Sequence, residues 1–154
     1  MIALLDVNVL VALLDANHIH HQGAQIWFNK QIEFGWATCP ITQNGCIRVL
    51  SAMAAKNAID NNLRVPVAPG QIAARLKKAT EHQSHQFVSD DLSLLTSGVV
   101  NFDFIHGHRQ ITDIYLLALA REHQMVLASF DSSIVVSAVV GARAEHLLNP
   151  AASI

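Results

Sequence analysis

A chain of 154 residues that is 51% hydrophobic and only 14% charged is long enough to bury a real core as one domain and too apolar to be a disordered segment. Ten Lys and Arg against twelve Asp and Glu give a formal net charge of −2. That balance excludes a global electrostatic pull toward nucleic acid, so any such binding needs a local basic face.

Residues 2–5, IALL, form a short continuous apolar run, suited to a strand covered on both faces. From Asn8 the pattern lengthens into VLVALLDA, which predicts a helix with Asn8 near its N-cap. Between them lies Asp6, a carboxylate whose unpaired burial costs several kcal/mol. HHQGAQIWFNKQIE, apolar at 24, 27, 28 and 32, predicts a second helix, and FGWATCP a second strand stopped by Pro40. Ile41-Thr42 opens a helix with Thr42 as N-cap and Ile47, Leu50 and Met53 on one face. After Pro66, PGQIAARLKKATEH predicts a helix turning Ile72, Leu76 and Ala79 inward. QFVS fits a third strand, and SDDLSLLTSG a turn-rich stretch with a short helix. RQITDIYLLALAREHQ is the strongest helical pattern, capped by Thr112. MVLASF is a buried strand, DSSIVVSAVVGA a short helix and AEHLL a last edge strand.

Strands separated by helices predict an α/β domain, a three-layer α/β/α sandwich around a mainly parallel sheet. One domain is expected over 1–148, with a short tail over 149–154. Cys39 and Cys46 make neither a disulfide framework nor a zinc spacing and read as buried thiols in a reducing compartment. No apolar run reaches the ~18 residues of a membrane span. The N-terminus lacks a basic region and places Asp6 where a signal peptide is apolar, so a cytoplasmic protein is expected.

In open parallel sheets, ligands bind outside the carboxyl ends of the strands. Asp6 leaves the first strand, Asp131 leaves MVLASF, and Asp113 stands in the first turn of its helix. Such a fold can bring the three together. Crowded carboxylates repel one another unless a cation joins them, and hard oxygen ligands suit Mg²⁺ or Mn²⁺. A cation would then offset the burial of Asp6. Taken singly, Asp113 can serve a helix dipole and Asp131 an N-cap.

LLDVNVLVALLDANHIHH, ATCPITQNGCIRVLS, GHRQITDIYLLALAREH and LASFD, in that order and spacing, resemble a PIN-domain protein, more closely a VapC-type toxin of a bacterial toxin–antitoxin pair. The resemblance runs from residue 1 to about 148. It implies a metal-dependent endoribonuclease, commonly dimeric, with a small antitoxin as partner and RNA as substrate. It maps the family's acidic cluster onto Asp6, Asp113 and Asp131, and its polar helpers onto Asn8 and Ser129. The usual Thr-Glu-Asn-Gly block reads Thr42-Gln43-Asn44-Gly45 here, so an amide stands at the second acidic position. Its carbonyl oxygen can still coordinate a hard cation, with one negative charge fewer. Three accounts of Gln43 stand at this point: natural drift with weaker metal affinity, a non-catalytic member that binds only antitoxin or RNA, or an introduced substitution that disarms a toxic protein. Ser132-Ser133 also lacks the basic residue and glycine often found after this aspartate.

Candidate RNA or partner contacts are Arg48, Arg109 with His106 and His108 leading into the Asp113 helix, and the stretch with Lys56, Arg64, Arg75, Lys77 and Lys78. His18 and His21 have an i, i+3 spacing but read as a surface histidine cluster. A phospho-receiver module is the other doubly wound class with aspartates at strand ends. It would need an acidic pair after the first strand and a lysine after the fifth, and this chain has no lysine beyond Lys78.

Overall fold

The computed structural model describes residues 1–61 and 65–153. Arg64, named above among the basic residues, lies outside them. Five short strands, β1 (Ala3–Leu5), β2 (Trp36–Thr38), β3 (His85–Phe87), β4 (Val126–Ala128) and β5 (Leu147–Leu148), form one sheet in the order β3-β2-β1-β4-β5. Every pairing is parallel. Helices α1 (Val7–Leu14) and α2 (His21–Gln31) join β1 to β2, α3 (Pro40–Asp60) and α4 (Pro69–Thr80) join β2 to β3, and α5 (Gln110–Glu122) leads into β4.

The strands β1, β2 and β4 are buried at every position, as their continuous apolar runs require. Alternate residues serve opposite faces. Leu4, Ala37 and Leu127 pack against α5 and the segment after β4. Ala3, Leu5, Trp36, Val126 and Ala128 pack against α1 to α4. The three layers are those predicted.

The chain builds outward from β1 through β2 to β3, then returns to the other side of β1 with β4. The strand order therefore reverses between β1 and β4, and a doubly wound sheet opens its crevice there, beyond the strand carboxyl ends. Asp6 leaves β1 and Ser129 leaves β4 at that point. The Asp6 amide donates to the Ala128 carbonyl at 3.0 Å.

Helix starts differ from expectation by a residue or more. The N-cap of α1 is Asp6, whose side chain accepts from the Val7 amide, and Asn8 lies inside the first turn. Helix α3 begins at Pro40 after Cys39, because proline has no N–H to leave unsatisfied at a first helical position. Thr42 stands in that first turn, fully buried, accepting from the Cys39 amide and donating to the Cys39 carbonyl. Helix α5 follows Arg109, which places Thr112 within its first turn. No helix forms in 89–98.

In 131–142 the expected helix shrinks to a 3-10 turn at Val136–Ala138. Its start is diverted because Asp131 Oδ1 accepts from both the amide and the hydroxyl of Ser133, a local turn that competes with helix. A further 3-10 turn forms at Phe102–Phe104, and the strand expected over 144–148 is a 3-10 turn at Ala144–His146 followed by the two-residue β5. Pro150 is buried, and the turn Pro150–Ser153 packs against α2. Both cysteines are free and buried. No helix among the described residues is long and apolar enough to cross a membrane.

Candidate active site

Asp6 is 6% exposed, and its burial is offset by donors on both oxygens. Oδ1 accepts from the Val7 amide at 2.6 Å; Oδ2 accepts from Asn8 Nδ2 and from Ser129 Oγ, each at 2.7 Å. Even so its pKa is raised, chiefly by burial and in part by the negative charge of Asp131. Asn8 ties the two strand ends together. Its Nδ2 also reaches Ser129 Oγ at 2.9 Å, and its Oδ1 accepts from the Phe130 amide at 3.1 Å. Ser129 Oγ in turn accepts from the Asp131 amide at 3.1 Å. One buried hydroxyl thus links the backbone of Asp131 to the carboxylate of Asp6.

Asp113 comes from the first turn of α5 and has no hydrogen-bond partner among the described residues. Burial, then the charges of Asp6 and Asp131, push its carboxyl up to about 6. The three aspartates named from sequence therefore stand within electrostatic reach of one another. An open groove of about 380 Å³ is lined by Asp6, Asn8 and Asp113, with Val49 and Met53 of α3 along its wall.

Gln43 is placed differently. Its Nε2 donates to Thr38 Oγ1 at 2.9 Å, and the same hydroxyl bonds His85 Nε2 at 2.8 Å. Thr38 is fully buried, and burial lowers the pKa of His85. The amide nitrogen thus pins α3 to the ends of β2 and β3, and Gln43 does not line the groove. Its Oε1 has no partner among the described residues.

Gly45, two residues on, is required by packing. A Cβ there would stand 2.4 Å from Val7 Cγ2. Only glycine lets α3 approach the first turn of α1, where Asp6 is held.

His18 lines the groove beside Asp6 and Asp113, which its reading as a surface histidine did not anticipate. Helix α1 leads the chain about 12 Å away from Asp6, so it is the loop after the helix that brings His18 back to the groove, and the sequence carries no signal for that return. His21 is committed elsewhere, through Nδ1 to the Ala12 carbonyl at 2.7 Å, so the i, i+3 pair is not a metal pair. Arg48 and Arg109 are exposed, as are Lys56, Lys77 and Lys78. Arg75 is exposed and donates to the Leu14 carbonyl, which caps the end of α1.

A family model described as the PIN domain matches residues 3–138. The chain belongs to the PIN-domain family. Ribonuclease VapC44 of Mycobacterium tuberculosis is 44% identical over 147 residues, covering 96% of this chain and 98% of the relative. Ribonuclease VapC39 of the same species is 38% identical over 141 residues, covering 92% and 96%. These relatives place the chain in the VapC ribonuclease branch of the family. The crystal structure of VapBC2 from Rickettsia felis bound to a promoter DNA fragment matches with a TM-score of 0.56 at 12% identity, covering 97% of this chain and 98% of that one. At that identity the likeness is one of fold.

PIN-domain ribonucleases are metal-dependent, and the residues of this PIN domain fit a hard cation. Its donors are carboxylate oxygens, and one of them, Asp113, is raised by burial and then by the charge of the other two, with no proton donor to relieve it. Among the described residues no group of three or more His, Cys, Asp or Glu is arranged as a ready metal cage. An open set of oxygen donors of this kind suits an ion that keeps several of its waters.

Proposed function

We propose that this PIN domain hydrolyses RNA phosphodiester bonds as the toxin of a toxin–antitoxin pair, using Mg²⁺ or Mn²⁺ held by Asp6, Asp113 and Asp131. The observation that carries the proposal is Asp113: half-buried, without a hydrogen bond, and pushed up to about 6 beside two further carboxylates. Burial and like charge oppose ionisation of such a group, and a bound cation favours it.

The chain's own residues divide the work. Asp6 is fixed in one orientation by three donors and keeps lone pairs for a cation. Ser129 and Asn8 set the spacing between the ends of β1 and β4, and so between Asp6 and Asp131. Gln43 holds α3 against the sheet through its nitrogen. A divalent cation held by these carboxylates would supply Lewis acidity toward the scissile phosphate and would lower the pKa of a water. No side chain need act as a covalent nucleophile. Arg48 and Arg109 are exposed cations for the RNA backbone or the partner. The proposal includes a small antitoxin, a homodimer, a cytoplasmic setting suited to two free thiols, and residues 1–148 acting as one unit.

Cleavage of a mixed structured RNA pool by this chain and by Gln43→Glu, with Mn²⁺ and then with EDTA, tests the reading. Cutting by both, stopped by EDTA, makes the amide at Gln43 tolerated and supports the proposal. Cutting by the Glu version alone makes this chain a disabled nuclease, with the commitment of Gln43 to Thr38 as the cause. If neither cuts, the binding-only reading replaces the enzymatic one.

A further inference from the structure

Beside the carboxylates lies a group of rings to which the catalytic reading assigns nothing. The loop after α1 carries His18 and His20, with ring centroids 5.6 Å apart and tilted by 46°. His20 stacks on Phe130 at 4.6 Å with an interplanar angle of 19°. Phe130 lies between Ser129 and Asp131, and its amide donates to Asn8 Oδ1. The rings are therefore attached at one end to the backbone that carries Asp131, and at the other to the groove wall, where His18 stands with Asp6 and Asp113.

The loop is pre-ordered. The His18 amide donates to the Asp15 carbonyl at 3.0 Å and the His21 amide to the His18 carbonyl at 2.9 Å. The Asn17 amide caps on Asp15 Oδ1 at 3.0 Å, and the His21 ring holds the Ala12 carbonyl. The His20 amide donates to His18 Nδ1 at 3.2 Å. That bond assigns the neutral ring's proton to Nε2, a donor with no partner among the described residues. All three rings are only half-buried, so part of each remains open to solvent.

We infer that His18, His20 and Phe130 form a nucleobase subsite that seats one unpaired base of the RNA next to the scissile phosphate. The inference rests on the ribonuclease reading and assigns the substrate contact which that reading leaves open. A flat aromatic face accepts any unstacked base, and single-stranded RNA is recognised largely in this way. His18 Nε2–H supplies a donor at the groove rim for a phosphate or base oxygen. Strand binding next to three carboxylates gains from a contact that adds no negative charge, and stacking is such a contact. Because the loop is already ordered, little further entropy is lost on binding.

The test uses the full chain and a single-stranded oligoribonucleotide containing 2-aminopurine, whose fluorescence falls when it stacks. Quenching is read on mixing with Mn²⁺ before cleavage, and KM and kcat are read from cleavage. His18→Ala and His20→Ala should lose the quenching and raise KM roughly tenfold, with kcat changed far less. His18→Phe and His20→Phe, which keep a ring, should restore the quenching. A stack that only pins the loop would instead lower Tm in His20→Ala without this split between KM and kcat. If His20→Ala fails to fold, His18→Ala and His20→Phe decide. Alanine variants that quench and cleave like the parent overturn the subsite and leave the nuclease reading intact. A parent chain that quenches but cuts nothing keeps the subsite and removes the catalysis. A parent that does neither overturns both.

Discussion

A carboxyl pushed up to about 6 in the first turn of α5 means that Asp113 holds a proton in the folded chain that the unfolded chain releases near pH 4. Between about pH 4 and 6 the folded state therefore binds more protons at this group, and its contribution to stability falls as pH rises through that window. Asp113→Asn should make the decline shallower, leaving the share that the raised carboxyl of Asp6 contributes. With EDTA present, the variant should melt higher than the parent at pH 7.5 while losing cleavage. Solvent screening of a half-exposed group limits the gain to about 1 kcal/mol, roughly 2–4 °C in Tm for a domain of this size. Tm measured against pH for both proteins checks this; a decline as steep in the variant as in the parent would contradict it. At this scale the acidic trio was legible in the sequence, because carboxylates at strand and helix ends converge in any doubly wound sheet. The orientation of Gln43 was not, because the competing acceptor, Thr38 Oγ1, comes from a neighbouring strand end and carries no sequence signal.

Helix α3 approaches α1 through Gly45, and a Cβ at that position would overlap Val7 Cγ2. Gly45→Ala should cost about 1–3 kcal/mol by overpacking, partly offset by the ~1 kcal/mol that alanine gains in helix propensity over glycine. Because the displaced atom belongs to the residue after Asp6, activity should fall further than stability. Adding Val7→Ala should recover part of both losses, and a double-mutant cycle on Tm and cleavage measures the coupling. Additive effects would show that the contact does not position Asp6. The elements themselves were largely legible, since long amphipathic runs and short buried runs keep their periods. Their starts were less so. Asp6 outcompetes Asn8 as a cap because it is the extended residue between β1 and the helix, and Pro40 starts α3 ahead of Thr42. The segment after Asp131 has helical composition, but its aspartate and serine satisfy each other locally and turn the chain away from helix.

Across the molecule, the strand order β3-β2-β1-β4-β5 opens the sheet between β1 and β4, and everything chemically distinctive gathers at that opening. Asp6 and Asn8 come from one side, Ser129 to Asp131 from the other, Asp113 from above in α5, and His18 from the return of the chain after α1. The fold class followed from alternation of buried strands and helices. The strand order did not, because three-residue strands carry too little pattern to fix their neighbours. A net charge of −2 with an acidic groove means that RNA is not drawn to this site by charge, so catalysis has to depend on a cation that reverses the local field. The most direct measurement is cleavage of a structured RNA pool by this chain, by Asp6→Asn and by Asp113→Asn, each with Mn²⁺ and again after EDTA. Cutting by the parent alone, abolished by EDTA while both variants remain folded, is the predicted result. Cutting that survives EDTA, or persists in either variant, would contradict a cation site built on these carboxylates.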